Sequence, residues 1–160
     1  MRIISHRGNL EGPNLLKENS PDQIKKVLDL GFNVEIDVWI NNDNNQEEIL
    51  FGHDKPVYGL SDITFEKLFC NYQVWFHCKN LEMLNFLSIW SDDCHYFWHQ
   101  NDDYTLTDEN YIWTYPGKEL SDRSILVLPE KIDIEYKDIK DKNIYAVCTD
   151  YPIKWRKDIG

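Results

Sequence analysis

Polar and apolar residues alternate most sharply along Asn33–Ile40, NVEIDVWI. Side chains of a strand point to opposite faces in turn. Val34, Ile36, Val38 and Ile40 therefore share one face, and Glu35 and Asp37 the other. The same short period recurs in Arg2–His6, Ile49–Asp54, Val74–Lys79, His95–Gln100, Tyr111–Tyr115, Ser124–Glu130 and Ile144–Asp150, each read as a strand. Between several of these the period lengthens. Ser20-Pro21-Asp22-Gln23 predicts a helix start, with Ser20 and Gln23 as a capping box. Ile24, Val27 and Leu28 form its buried stripe, and Gly31 stops it. Ser61–Asn71 reads as a second helix, and Asn80 caps a third that carries Leu81, Leu84, Leu87 and Trp90. Asn41–Glu48 and Asn101–Asn110 read as polar connectors, and the charged stretch Lys131–Lys142 as the site of a last short helix. Pro152 ends the final strand.

Strands alternating with helices imply a parallel sheet. The expectation is a single α/β domain over residues 1–160. Polar residues collect where strands end, at His6, Asp37, His53, Lys79, Glu130 and Asp150. That is the rim on which α/β barrels build active sites. Neither G-x-G-x-x-G nor G-x-x-x-x-G-K-[ST] occurs, so a nucleotide-binding doubly wound sheet loses ground.

Composition narrows the function classes. The net charge of −11 argues against a nucleic-acid partner, because phosphate contacts need a basic face. A small phosphate-bearing substrate stays open, since a local cation reverses the sign inside one cleft. No apolar run approaches a membrane span, and MRIISHRG is not a charged-then-apolar leader. The four cysteines lack C-x-x-C spacing, and Cys78 and Cys148 lie in apolar runs that suit buried thiols. Together these features suggest a cytoplasmic protein.

Two carboxylates on one face of an apolar strand repel each other and are costly to desolvate. Either water reaches Glu35 and Asp37 or a cation sits between them. Imidazole as a side-chain type can give or take a proton near neutral pH, so His6 and His53 suit acid–base work, while Arg7 and Lys79 can neutralise a phosphate. These are the parts needed to cleave a phosphodiester. The plainer readings are a half-exposed polar strand face and satisfied core histidines. Trp98, His99, Trp113 and Tyr115 either line a substrate pocket or fill the core. Glu130 joins Trp98 and Trp113 as a candidate substrate contact. Asp43, Asn45 and Glu47 alternate as in a calcium loop but lack its glycine and distal glutamate, so a hairpin loop is expected there.

Five segments carry a resemblance. They are Ile4-Ser5-His6-Arg7-Gly8, Glu18-Asn19-Ser20, Val34-Glu35-Ile36-Asp37-Val38, Gly52-His53-Asp54 and Thr149-Asp150-Tyr151-Pro152. In this order the sequence resembles the glycerophosphodiester phosphodiesterases, within the superfamily of phosphatidylinositol-specific phospholipase C-like phosphodiesterases. The likeness is close over residues 1–54 and sparse until the end. It implies a TIM-type barrel and metal-dependent cleavage of a small phosphodiester, by hydrolysis or through a cyclic phosphate. It also implies His6 and His53 as the acid–base pair, Glu35 and Asp37 as metal ligands, Arg7 as a phosphate contact and Glu18 as the polar residue of the first loop, positioning that loop or touching the substrate. Lys79 matches the lysine that stabilises phosphoryl charge.

Two departures modify that picture. The family's third carboxylate ligand is replaced by His77. An imidazole there shifts preference from Mg²⁺ or Ca²⁺ towards Mn²⁺, Co²⁺ or Zn²⁺. The chain is also shorter than the usual ~250-residue barrel. An irregular barrel of seven or eight mostly parallel strands is expected, with reduced helices in the C-terminal half and a homodimer to cover what is missing. The main alternative is a phosphate- or glycan-phosphate-binding module without turnover. A metal-dependent isomerase on a similar barrel is a third reading.

Overall fold

A computed structural model describes residues 1–43, 46–59, 62–90 and 94–160. Residues 44–45 of the hairpin loop expected over Asn41–Glu48, including Asn45 of its calcium-like alternation, and Ser61, the first residue of the expected second helix, lie outside these residues. Seven strands run parallel in the order β6 (His95–Trp98), β5 (Val74–Cys78), β2 (Asn33–Asp43), β1 (Arg2–Ser5), β10 (Ala146–Thr149), β9 (Ser124–Val127) and β8 (Ile112–Thr114). β3 (Gln46–Phe51), β4 (Tyr58–Gly59) and β7 (Tyr104–Leu106) join antiparallel at the margins.

The sheet is strongly curled but open, which corrects the expectation of a closed barrel. No ladder joins β6 to β8. The gap is bridged by side chains and a loop. Phe97 stacks on Trp113 with centroids 4.3 Å apart. Tyr96 N–H donates to Asp108 Oδ1, and Asp108 N–H donates to the Tyr96 carbonyl. The edge strand's polar groups thus find partners without another strand. The stretch from β6 to β9 carries no α-helix, so nothing there covers a further parallel strand.

Alternation along the strands sorts the core into layers. Val34, Ile36, Val38, Val74 and Phe76 face outward against α1 (Pro21–Asp29) and α3 (Leu81–Trp90), through Ile24, Val27, Met83 and Leu87. Leu126 and Val147 pack outward against Ile139 of α4 (Tyr136–Ile139) and Trp155 of α5 (Pro152–Ile159). Ile4, Trp75, Phe97, Trp113, Ile125 and Cys148 fill the inside of the curl. Glu35 and Asp37 share that inner side, above its apolar floor. The remaining helix, α2, spans Asp62–Phe69. No helix among the described residues is long and apolar enough to cross a membrane. All four cysteines are free thiols.

Several local expectations shift. Asn41–Glu48 is not simply a turn. Asn41, Asn42 and Asp43 continue β2 and pair with Glu48, Glu47 and Gln46. The sequence of this ribbon carries no apolar face, so the hydrophobic pattern missed it. β7 inside the expected connector, and α5 after Pro152, were also unanticipated. Gly31 ends the first helix as expected, at φ 78°. Ser20 makes no side-chain cap, and Gln23 Nε2 instead donates to the Gly8 carbonyl at 2.8 Å. The helix is thereby tied to the loop that follows β1.

Candidate metal centre

β2 brings the two acids to the sheet's inner side, and the register with β5 sets His77 directly beside Asp37. Glu35 is 2% exposed and Asp37 0%, so water does not solvate the pair. Their partners are therefore decisive. Glu35 Oε2 accepts the Arg7 N–H at 3.0 Å. Asp37 Oδ2 accepts from Asn19 Nδ2 at 3.0 Å, and the Asp37 N–H donates to Asn19 Oδ1 at 2.9 Å. Arg7 Nε lies 3.1 Å from Asp37 Oδ2, paired by charge but off line for a hydrogen bond. Lys79 Nζ stands 3.4 Å from Asp37 Oδ1. His53 Nδ1 stands 3.2 Å from both carboxylate oxygens of Asp37.

Burial alone would raise the Asp37 pKa. Hydrogen bonds from His53 and His77, and the charges of His77 and Arg7, hold it well below the usual carboxylate range instead.

Strained backbone delivers these groups. Arg7 has φ 52° and Asn19 φ 59°, both in the left-handed region that non-glycine residues seldom enter. The Asn19 N–H donates to the Arg7 carbonyl at 2.9 Å, which locks the two turns together. On the far side, Gly52 has φ 151°, and a Cβ there would lie 2.2 Å from the Lys55 carbonyl oxygen. Only glycine permits the turn that folds His53 back over Asp37. Trp39 Nε1 donates to the Gly52 carbonyl at 2.6 Å and fixes that turn.

The test for a metal lies in His77. Its Nε2 sits 3.1 Å from the His99 carbonyl, which only accepts, so Nε2 carries the proton. Nδ1 then presents a lone pair to Asp37 Oδ1 at 3.0 Å and Glu35 Oε1 at 3.6 Å. Three acceptors converge with ligand atoms all within 4.8 Å of one another. Acceptors facing acceptors repel unless a cation joins them. With a proton in that role, burial would lower the His77 pKa, but hydrogen bonds to Asp37 and Glu35 outweigh it and push it up to about 9. A divalent ion is the other solution. Two carboxylates and an imidazole whose tautomer is fixed by a carbonyl fit one. Glu35, Asp37 and His77 can thus hold a metal ion.

A cavity of about 350 Å³ opens over this group. His6, Arg7, His53 and Lys79 line it, with Trp98 and Trp113 on the other side. Phe97 stacks on His77, centroids 4.9 Å apart, and fixes its ring plane. His6 Nδ1 lies 2.7 Å from Asp150 Oδ1. Burial opposes ionisation of Asp150, yet the hydrogen bond and charge of His6, with Asn9 and Arg7, hold its pKa below the ordinary value.

Two expected substrate contacts sit elsewhere. Glu130 accepts from the Asp150 N–H at 2.7 Å and the Thr149 hydroxyl at 3.0 Å, so it braces Asp150 and does not line the cavity. Glu18 accepts from Arg7 Nη1 at 3.3 Å and Asn9 Nδ2 at 2.9 Å, behind Arg7. Trp98 lies on the outward phase of β6 and packs partly against the outer core, yet it also lines the cavity. Asn9, Asn19 and Lys131 were not singled out from sequence. Asn19 stood inside a matched segment, but a buried amide in a loop has no periodic signature. No family model, curated protein or solved structure matches the chain.

Proposed function

We propose that the protein is a metal-dependent phosphodiesterase of the glycerophosphodiester type, acting on a small diester. The observation that carries this reading is the convergence of His77 Nδ1, Glu35 and Asp37 beneath a cavity lined by His6, His53, Arg7 and Lys79. Glu35, Asp37 and His77 would hold a divalent ion, which when bound supplies Lewis-acid stabilisation of phosphoryl charge.

Arg7 and Lys79 add fixed positive charge beside the phosphoryl oxygens. Asp150 accepts the Nδ1–H of His6 and leaves Nε2 as the nitrogen free for the cavity. That nitrogen takes the proton of the attacking hydroxyl, from water or from a neighbouring hydroxyl of the substrate. As the new P–O bond forms, the bond to the departing alcohol breaks, and His53 returns a proton to that oxygen. Glu18 and Asn9 hold Arg7 and Asp150 in register.

The test is hydrolysis of bis(p-nitrophenyl) phosphate and glycerophosphocholine with Mg²⁺, Ca²⁺, Mn²⁺ or Zn²⁺. Loss of turnover by two to four orders of magnitude in His6→Ala and in His53→Ala is expected, in line with general acid–base contributions of about 10²–10⁴. Metal binding without turnover under every condition would overturn the enzyme reading in favour of a binding module.

A further inference from the structure

Strand order divides the mouth of the cavity into two halves. β1, β2, β3, β5 and β10, with the turns that follow them, contribute the acids, the paired histidines, Arg7 and Lys79. The half from β6, β8 and β9 is lined by His99, Gln100, Trp113, Tyr115 and Lys131, and contains no acid. Tyr115 is 40% exposed, and its ring lies 6.0 Å from that of His99. This is an open aromatic wall.

Lys131 differs from every other cation lining the cavity. Arg7 is paired with Glu18 and Asp37, Lys79 and His53 with Asp37, and His6 with Asp150. Among the described residues Lys131 has no ion-pair partner. The nearest acid in sequence, Glu130, is turned to the Asp150 N–H and the Thr149 hydroxyl. Asp102 comes within 3.9 Å of His99 Nδ1 but does not line the cavity. Aromatic rings alone would suit a quaternary ammonium group by cation–π attraction. An unmatched lysine lining the same cavity reverses that preference.

We propose that this half receives the far alcohol of the substrate, and that this alcohol is a polyol bearing a second anionic group. The hydroxylated body lies against Tyr115 and His99, with Gln100 in hydrogen-bonding reach, and the anion sits on Lys131. Lys131 is then a specificity residue remote from the reacting bond. The inference rests on the phosphodiester reading for its class of ligand, but its test needs no turnover.

Binding is measured by isothermal titration to the Mn²⁺-loaded His6→Ala variant, with glycerophosphocholine, glycerophosphoinositol and glycerophosphoinositol phosphate as probes. Affinity should rise in that order, spanning roughly tenfold, the scale expected of a solvent-exposed charge acting on ligands of opposite sign. Adding Lys131→Ala should bring the two end members within about twofold, and Lys131→Glu should invert their order. Equal or tighter binding of the choline ester, an unchanged ratio in Lys131→Ala, or no binding of any probe overturns the inference. Hydrolysis of bis(p-nitrophenyl) phosphate by the unmodified protein is scored separately. Its absence would overturn the diesterase reading and leave the binding preference standing.

Discussion

Asn19 is the residue through which fold and site are most directly coupled, and replacing it should damage both. Its amide is 1% exposed and makes two bonds to one partner, donating to Asp37 Oδ2 at 3.0 Å and accepting the Asp37 N–H at 2.9 Å. Asn19→Ala removes a charge-assisted hydrogen bond, about 1.5–3 kcal/mol. It strands a buried N–H, about 1–3 kcal/mol. It also places alanine at φ 59°, about 1–2 kcal/mol. These losses share one partner and are not additive, so a net loss of about 4 kcal/mol is expected. That is a large part of an ordinary domain stability of about 5–15 kcal/mol.

Asn19→Gly separates the contributions. Glycine tolerates the positive φ, so it should be about 0.5–1 kcal/mol less damaging than alanine while losing both hydrogen bonds. The assay is urea unfolding of the three proteins in chelator, at a temperature where the alanine variant is folded. A titration of Mn²⁺ into each provides the second readout. Asn19 orients a proposed ligand, so Mn²⁺ affinity should fall about 10–100-fold in both variants. Losses under about 1 kcal/mol in both, with unchanged Mn²⁺ affinity, would refute the view that this amide aims the carboxylate.

Two further outcomes follow from His77. His77→Glu converts a mixed nitrogen–oxygen donor set to three carboxylates, so preference should move from Zn²⁺ and Mn²⁺ towards Mg²⁺ and Ca²⁺, checked by competitive titration; an unchanged order of affinities would remove His77 from the ligand set. In metal-free protein the His77 pKa is pushed up from 6.5 to about 9, so its stabilising contribution is complete below pH ~6.5 and is lost as pH rises through about 9, by up to roughly 3 kcal/mol. Tm against pH should show that decline in chelator and a flatter profile with saturating Mn²⁺, which takes the proton's place; identical profiles would refute the exchange.

What could be read from the sequence was what has a period. The inward phase of Glu35 and Asp37, the parallel order of β1, β2 and β5, and the strand ends carrying His6, His53 and Lys79 all follow from alternation and from turn signals. What lacked a period stayed hidden. The β2–β3 ribbon beyond Ile40 is polar on both faces, and β7 is three residues long, so neither shows a hydrophobic stripe. Asn19 and Asn9 act through buried amides in loops, whose importance depends on which carboxylate the fold sets opposite them. Glu130 is in phase with Leu128 in sequence. At Leu128, however, φ turns to 45° and opens the 3-10 turn Pro129–Ile132, so the alternation breaks two residues before the expected strand end at Glu130. That break turns Glu130 towards Asp150 and brings Lys131 to the cavity.

The open sheet also bears on how the candidate site is held. The three groups that can hold a metal come from β2 and β5, and each of these strands has hydrogen-bonded neighbours on both sides. Their positions are set by continuous ladders, which do not tolerate a register slip without turning every inward acid outward. The opening falls instead between β6 and β8, where contact passes through the Phe97–Trp113 stack and the Asp108 loop. Stacked rings and one loop constrain position less tightly than a ladder. The half of the mouth built on β6, β8 and β9 can therefore adjust to the body of a ligand without disturbing the carboxylates. An opening at that place loosens only the wall proposed for the far alcohol and leaves the strands that carry Glu35, Asp37 and His77 intact. Rigid where charge must be held and yielding where shape must be matched is the division of labour that a binding cleft requires.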